Sequence, residues 1–395
     1  MKKIITNGRI ILKEQLLDGC DIILEDGLIS GIQRAGSMDM TGDISVYDAK
    51  GGYIMPGIID IHSDMIEAYI QPRSTAVMDF EMGLGEAERV LAVCGITTMF
   101  HSISMFRDGS WDVKEIRKAP QVKRLAELIS GYRHKKRLIR HRYHLRYEID
   151  NLDCYEDVKK MLEDGFVDLL SFMDHSPGQG QYKNLDVYRK HQPGEGKKIS
   201  DEDFEKLVER EKNKNTVTLD ELKVLAETAG KRGISIASHD DDTIEKLELN
   251  KELGIKISEF PITLEVAKAA SKEGFMTVLG APNILLGGSH SGNLSAMDAI
   301  RENAAGILVS DYYPQALLQS VFYLYQEQGI PLWEAVRYVT INPAKAVGLD
   351  RMLGSVETGK KADLLVVDAS GKRPVPEFVF VNGECVAECH YRATD

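Results

Sequence analysis

The chain has 395 residues, enough to bury a large core as one large domain or about two to three smaller ones. A composition of 43% hydrophobic and 28% charged residues is that of an ordinary soluble globular enzyme rather than a disordered or fibrous chain. The formal net charge of −12 argues against a general nucleic-acid binder, and it means that a strongly anionic ligand needs a local basic site.

No run of roughly eighteen apolar residues and no signal-peptide pattern is present, so a cytoplasmic location and no membrane partner are expected. Five scattered cysteines (20, 94, 154, 385 and 389) suit a reducing compartment better than a disulfide framework. The tail set Cys385, Cys389 and His390 lacks a recognised metal-ligand spacing.

In chain order, residues 1 to 55 read as short strands with tight turns at Asn7-Gly8 and Asp26-Gly27, both strong hairpin signals. The strands at 362–368 and 378–384, the latter closing on Asn382-Gly383, have the same character. Segments 1–55 and 346–395 are therefore expected to pair into one small composite β-sandwich. Between them, residues 56–345 alternate strand and helix patterns. Strands are predicted at 58–62, 97–101, 144–148, 169–174, 234–239, 256–259, 276–279 and 307–311. Helices are predicted at 85–93, 111–130, 155–164, 201–212, 219–231, 242–253, 262–273, 295–303, 314–327 and 331–347. Eight strands interleaved with helices point to an α/β fold, a (β/α)8 barrel. Residues 178–196, rich in Gly, Gln and charge, read as a long loop over the site.

The chemistry collects at strand ends. The first strand closes with His62-Ser63-Asp64. Period-two alternation should aim an imidazole and a carboxylate the same way, a geometry suited to a metal ion. Glu148, His175, His239 and Asp311 end later strands. Barrel enzymes place their chemistry at that rim. Together these side chains offer three imidazoles and three carboxylates, enough for two divalent ions bridged by a carboxylate. Asp174, Asp240 and Glu259 read better as groups that orient the ligands. His101 and His191 read as structural more readily than functional. The basic run 133–142 should lie at the opposite, N-terminal end of the barrel.

These stretches resemble the amidohydrolase superfamily, whose metals sit on a (β/α)8 barrel flanked by a β-sandwich built from both termini. The resemblance is carried by Met55-Pro56-Gly57-Ile58-Ile59-Asp60-Ile61-His62, Ile341-Asn342-Pro343-Ala344-Lys345-Ala346 and Gly359-Lys360-Lys361-Ala362-Asp363-Leu364. The first-strand motif usual there is H-x-H, whereas this chain has H-x-D. That departure fits one branch, the triphosphate diphosphatases of phosphonate breakdown. The chain is similar to that branch at His144 to Glu148, Met173 to Gln179, Ser238 to Asp241, Gly287 to Asn293 and Ser310 to Pro314.

The resemblance implies hydrolysis of α-D-ribose 1-methylphosphonate 5-triphosphate to the 5-phosphate and diphosphate. The implied cofactor is a pair of divalent ions, zinc by preference, with Mn and Fe compatible. Asp311 would be both ligand and proton acceptor. The small-molecule triphosphate is expected to be held by Arg73 and by Gly288, Ser289, His290, Ser291 and Asn293. A homo-oligomer is compatible with this reading. The rival readings are an amidase or deaminase acting at carbon on the same scaffold, and a non-catalytic scaffold subunit that should have lost several of the six donors.

Overall fold

The computed structural model describes residues 2–37, 42–107, 114–177, 179–180, 185–190, 200–289 and 293–390. Its centre is a barrel of eight parallel strands in sequence order. Strands one to four are Ile58–Ser63, Ile96–Met105, Arg140–Glu148 and Leu169–Met173. Strands five to eight are Ser235–His239, Ile257–Glu259, Met276–Gly280 and Ile307–Val309. A parallel bridge between Ser63 and Asp311 joins the first strand to the last.

Strand three shows how the sequence builds this layer. Tyr143, Leu145 and Tyr147 are fully buried and belong to the large core between barrel and helices. The intervening His144, Arg146 and Glu148 must then face the interior, because strand side chains alternate. The barrel floor is apolar, formed by Ile59, Leu169, Ala237, Ile257, Val278 and Ile307, with Ala344 and Leu353 packed onto it. The change from this floor to a polar mouth positions the site.

The two terminal segments form the flanking layers. A four-stranded sheet is built from the N-terminal strands alone. A six-stranded sheet mixes both ends of the chain, with Leu364–Asp368 antiparallel to Tyr53–Pro56. Ile5, Ile22, Ile54, Leu364, Val366 and Phe380 are buried together between them. Arg140, entering strand three, pairs with Asp363 and Asn382, which fastens the barrel to this sandwich-like unit.

Several expectations change in detail. Asp26-Gly27 and Asn382-Gly383 turn two-residue hairpins, with φ of 50° and 79°, and 48° and 71°. Asn7-Gly8 does not, because its flanking strands lie in different sheets. Gly8 is needed there for another reason: a Cβ would sit 2.5 Å from Ile54 Cδ1.

The single helix expected over 331–347 is two, Leu332–Arg337 and Ile341–Ala346. The break frees the carbonyls of Tyr338 and Val339 to accept from Leu308 and Ile59 of the barrel. The loop expected over 178–196 contains a helix, Leu185–Lys190. Among the described residues no helix is long and apolar enough to cross a membrane. All five cysteines are free thiols.

Candidate metal centre

Strand one carries an irregularity that matters for the site. Asp60 pairs with Met99 and Ser63 with His101, so three residues advance against two. Such a bulge breaks the period-two alternation and re-aims side chains. The two residues of the H-x-D spacing have different neighbours. His62 is buried beside the rings of His144, His239 and Phe260, at centroid distances of 5.1, 5.5 and 5.0 Å. Asp64 lies one residue past the strand, with its side chain 30% exposed and Oδ2 3.3 Å from Arg117 Nη2.

Hydrogen-bond chemistry fixes the imidazole tautomers. His62 Nδ1 lies 2.9 Å from Glu259 Oε1, a carboxylate that also accepts from Ser171 at 2.7 Å. His62 therefore donates through Nδ1, and its Nε2 keeps the lone pair. His239 differs: its buried Nδ1 lies 3.1 Å from Asp240 Oδ2 with neither atom in a hydrogen bond, while Arg146, which can only donate, approaches Nε2 at 3.1 Å. On His62, a carboxylate at one ring nitrogen leaves the other for a cation, the arrangement of histidine metal ligands.

His144 donates through Nδ1 to the Ile61 carbonyl at 3.0 Å. Its buried Nε2 has no hydrogen-bond partner and faces Glu259 Oε1 at 3.7 Å. Two acceptors opposed in a buried space suit a cation between them. Two groups, His62 with His144 and Glu259, and His175 with His239 and Asp240, have ligating atoms within 4.8 Å of one another. The donor set thus fits divalent metal.

Charge is distributed to match. Burial, reinforced by the Arg146 charge, holds the His62 pKa well below the ordinary imidazole value. Burial takes His144 down to about 3. Burial also opposes charge on His175, but Glu148 at 2.5 Å and Asp240 outweigh it and raise the pKa to about 10. Asp64 is pushed up to about 6 by burial and by neighbouring Glu67, against Arg146 and Arg117. Burial would raise Glu148 and Asp240, yet the imidazoles beside them keep both below the usual carboxylate range. Beneath the site, burial lifts Asp60 to about 7 while its Oδ1 accepts from the amides of His62 and Ser310.

Three non-glycine residues just beyond strand ends adopt left-handed backbone: Asp240 (φ 54°), Phe260 (φ 52°) and Asp311 (φ 59°). Such conformations persist only where surrounding bonds over-determine them. For Asp311 those bonds are its amide to His62 O at 3.0 Å and its carbonyl from Asp64 N at 2.8 Å.

Of the six expected ligands, His62, His175 and His239 fall in the two tight groups. Glu148 touches His175, and Asp64 and Asp311 flank the mouth outside those groups. Sequence reasoning missed His144, Arg146, Arg117 and Glu67. The last is buried and held by Arg117 at 2.6 and 3.0 Å and by Lys114 at 2.7 Å. The strand-three alternation His-x-Arg-x-Glu carried a usable signal for the first two.

Arg73 is exposed in a bend bridged to Ala76, and none of its described contacts reaches the donors. Gly288 and Ser289 follow a helix, Ala281–Leu286, instead of leaving strand seven directly. The Gly288 amide is spent on Asn283 O at 3.0 Å. Asn293 is half-buried at the far side of this loop. His290 and Ser291 lie outside the described residues, as does His191. His101 is structural: it stacks on His141, with Nε2 2.9 Å from His141 Nδ1, in the layer between barrel and helices. In the basic run, Arg133 and Arg142 are paired with Asp168.

Comparison with known proteins gives a consistent pattern. The sequence profile of the amidohydrolase family matches residues 144–388. The chain is 31% identical to α-D-ribose 1-methylphosphonate 5-triphosphate diphosphatase of Escherichia coli, over 92% of this chain and 94% of that one. It is 34% identical to adenine deaminase 3 of Rhizobium meliloti, but over only 22% of this chain and 14% of the deaminase. Among solved structures, L-hydantoinase from Arthrobacter aurescens superposes with a TM-score of 0.67 at 15% identity, covering 100% of this chain and 97% of its own. N-acetylglucosamine-6-phosphate deacetylase from Pasteurella multocida gives 0.62 at 15%, covering 98% and 99%.

Proposed function

The chain belongs to the amidohydrolase family, and on that premise we propose that it is a metal-dependent diphosphatase acting on a sugar 5-triphosphate. The substrate in this reading is α-D-ribose 1-methylphosphonate 5-triphosphate, and the products are the 5-phosphate and diphosphate. The observation that carries it is the end-to-end similarity to the E. coli diphosphatase, at 31% identity over 92% of the chain. Similarity to the deaminase is confined to 22% of the chain, and the solved hydantoinase and deacetylase share the fold.

His62, His175 and His239, with Asp64, Glu148 and Asp311, would hold two divalent ions, zinc by preference. Glu259 orients the ring of His62, and Asp240 places a carboxylate oxygen 3.1 Å from His239 Nδ1. Divalent metal, when bound, supplies Lewis acidity toward phosphoryl oxygens and lowers the pKa of water to near neutrality. Asp311 accepts the proton of the attacking water, in a backbone position locked by its two hydrogen bonds. The water oxygen bonds to the α-phosphorus, and the bond from that phosphorus to the bridging oxygen breaks, so both electrons leave with diphosphate. Arg117 and Arg146 supply positive charge beside the carboxylates, where charge on the leaving group needs offsetting. Arg73 and the Gly288, Ser289, His290, Ser291 and Asn293 loop remain the proposed outer contacts to the triphosphate.

The test is 31P NMR of the metal-loaded protein with the ribosyl triphosphate. Diphosphate and the 5-phosphate should appear together. Orthophosphate as the initial product, or no turnover, would sink the reading.

A further inference from the structure

We propose that Lys114 binds the terminal phosphates of the substrate, so that the charge of the polyphosphate is met where the loops after strands one and two adjoin. The proposal rests on the reading of the chain as a triphosphate diphosphatase, and it names a residue outside the metal donors.

Glu67, just beyond strand one, is buried, and Arg117 already satisfies its carboxylate. Nε of the arginine donates to Oε1 at 2.6 Å and Nη2 to Oε2 at 3.0 Å. Lys114 brings a second cation to the same carboxylate, with Nζ 2.7 Å from Oε2. One arginine fork is the full complement of a carboxylate, so the lysine charge is surplus there. The Lys114 side chain is 49% exposed, and its bond to Glu67 is its one hydrogen bond among the described residues. An ammonium carries three donors, so Lys114 has donors left for an anion.

The backbone beside it is fixed. Gln71 is buried; its Oε1 accepts from the Ile116 amide at 3.0 Å and its Nε2 donates to Ser74 O at 2.9 Å. That side chain ties the bend carrying exposed Arg73 to the turn Glu115–Arg117. Both loops leave the C-terminal ends of their strands, at the rim where the metal donors stand. The Arg117 charge acts on Asp64 and Glu148 of that rim. Strands seven and eight offer no such charge: residues 273–300, with the glycine-rich loop, contain no lysine or arginine, and neither do residues 302–336. In a chain of net charge −12 a polyphosphate needs a local basic site, and Lys114 beside Arg117 supplies one.

Two measurements test this. The first is steady-state hydrolysis of the ribosyl triphosphate by wild type and K114M in excess metal, with the melting temperature as the check on folding. K114M should raise KM about tenfold and weaken competitive inhibition by inorganic tripolyphosphate equally, with kcat within about threefold of wild type, because a charged hydrogen bond common to ground and transition states is lost. Unchanged KM and unchanged inhibition in folded K114M overturn the proposal while leaving the diphosphatase reading intact.

The second needs neither a variant nor turnover: lysine acetylation of the metal-loaded wild type, located by mass spectrometry, with and without inorganic tripolyphosphate. Tripolyphosphate should protect Lys114 but not Lys13, which is 45% exposed and likewise paired with a glutamate, Glu357, at 2.7 Å. Acetylation of Lys114 at the same rate in both conditions overturns the proposal. Protection of Lys114 in a protein that leaves the ribosyl triphosphate uncleaved sinks the diphosphatase reading and keeps Lys114 as a polyphosphate contact.

Discussion

Glu259 is the most instructive single residue to perturb. Its carboxylate is fully buried and bonded to His62 Nδ1 at 2.9 Å and Ser171 Oγ at 2.7 Å. His62, held far below its ordinary pKa, is neutral, so Glu259 is a buried negative charge without an ion-pair partner at its nearest contact. In E259Q the amide oxygen can still accept from His62, and the amide NH2 can donate to Ser171. The fold therefore keeps both hydrogen bonds. What disappears is the charge that makes His62 Nε2 a stronger donor and balances a cation.

Losing such an orienting partner costs about 10–100-fold in metal affinity, which is about 1.4–2.7 kcal/mol. Without metal, removing a buried charge beside a neutral ring should leave stability within about 1 kcal/mol of wild type, or raise it. The assays are chelator-competition titration with zinc and calorimetric melting in chelator. Zinc affinity within twofold of wild type, in a variant that melts normally, would refute the orienting role.

Other perturbations have equally definite outcomes. D311N should abolish release of diphosphate from the ribosyl triphosphate while leaving the melting temperature in chelator unchanged; near-normal turnover would remove Asp311 as proton acceptor. R117M strips buried Glu67 of its two arginine contacts, and such a loss destabilises by about 3–5 kcal/mol. Denaturant unfolding should show most of that loss restored in the double variant E67Q/R117M.

Glu88 sets a pH dependence far from the site. Burial would raise its pKa, but His141 and the amides of Ile139 and Leu138 hold it below the ordinary glutamate value. A carboxylate depressed in the folded state contributes stability above its unfolded pKa and loses it as pH falls through the folded one. Wild type should therefore lose melting temperature more steeply than E88Q below about pH 4.5; parallel curves would contradict this.

The sequence made the barrel legible because its strands are short apolar runs separated by amphipathic helices, and because polar groups cluster where those runs end. His175 and His239, which fall in one candidate metal group, stand where two of those runs end. Glu259 and Asp240 were expected to orient ligands; Glu259 does bond to His62 Nδ1, whereas Asp240 Oδ2 faces His239 Nδ1 with no hydrogen bond. The bulge within Asp60–Ser63 has no residue signature, so the different neighbours of His62 and Asp64 were not readable from the H-x-D spacing. Arg117 was hidden for a different reason: it reaches Asp64 across 53 positions of chain, and no local pattern marks it. Arg146 was visible in principle, as a polar member of an alternating strand. Arg73 lies in an exposed turn, and a helix, Ala281–Leu286, separates the glycine-rich loop from strand seven.

X-ray absorption at the zinc edge, on the zinc-loaded protein in solution, addresses the metal centre most directly. A shell of nitrogen and oxygen at about 2.0–2.1 Å, with outer scattering from at least two imidazoles, is the predicted spectrum. A sulfur shell at about 2.3 Å, or oxygen ligands with no imidazole signature, would contradict the assignment of His62 and His239 to the metal.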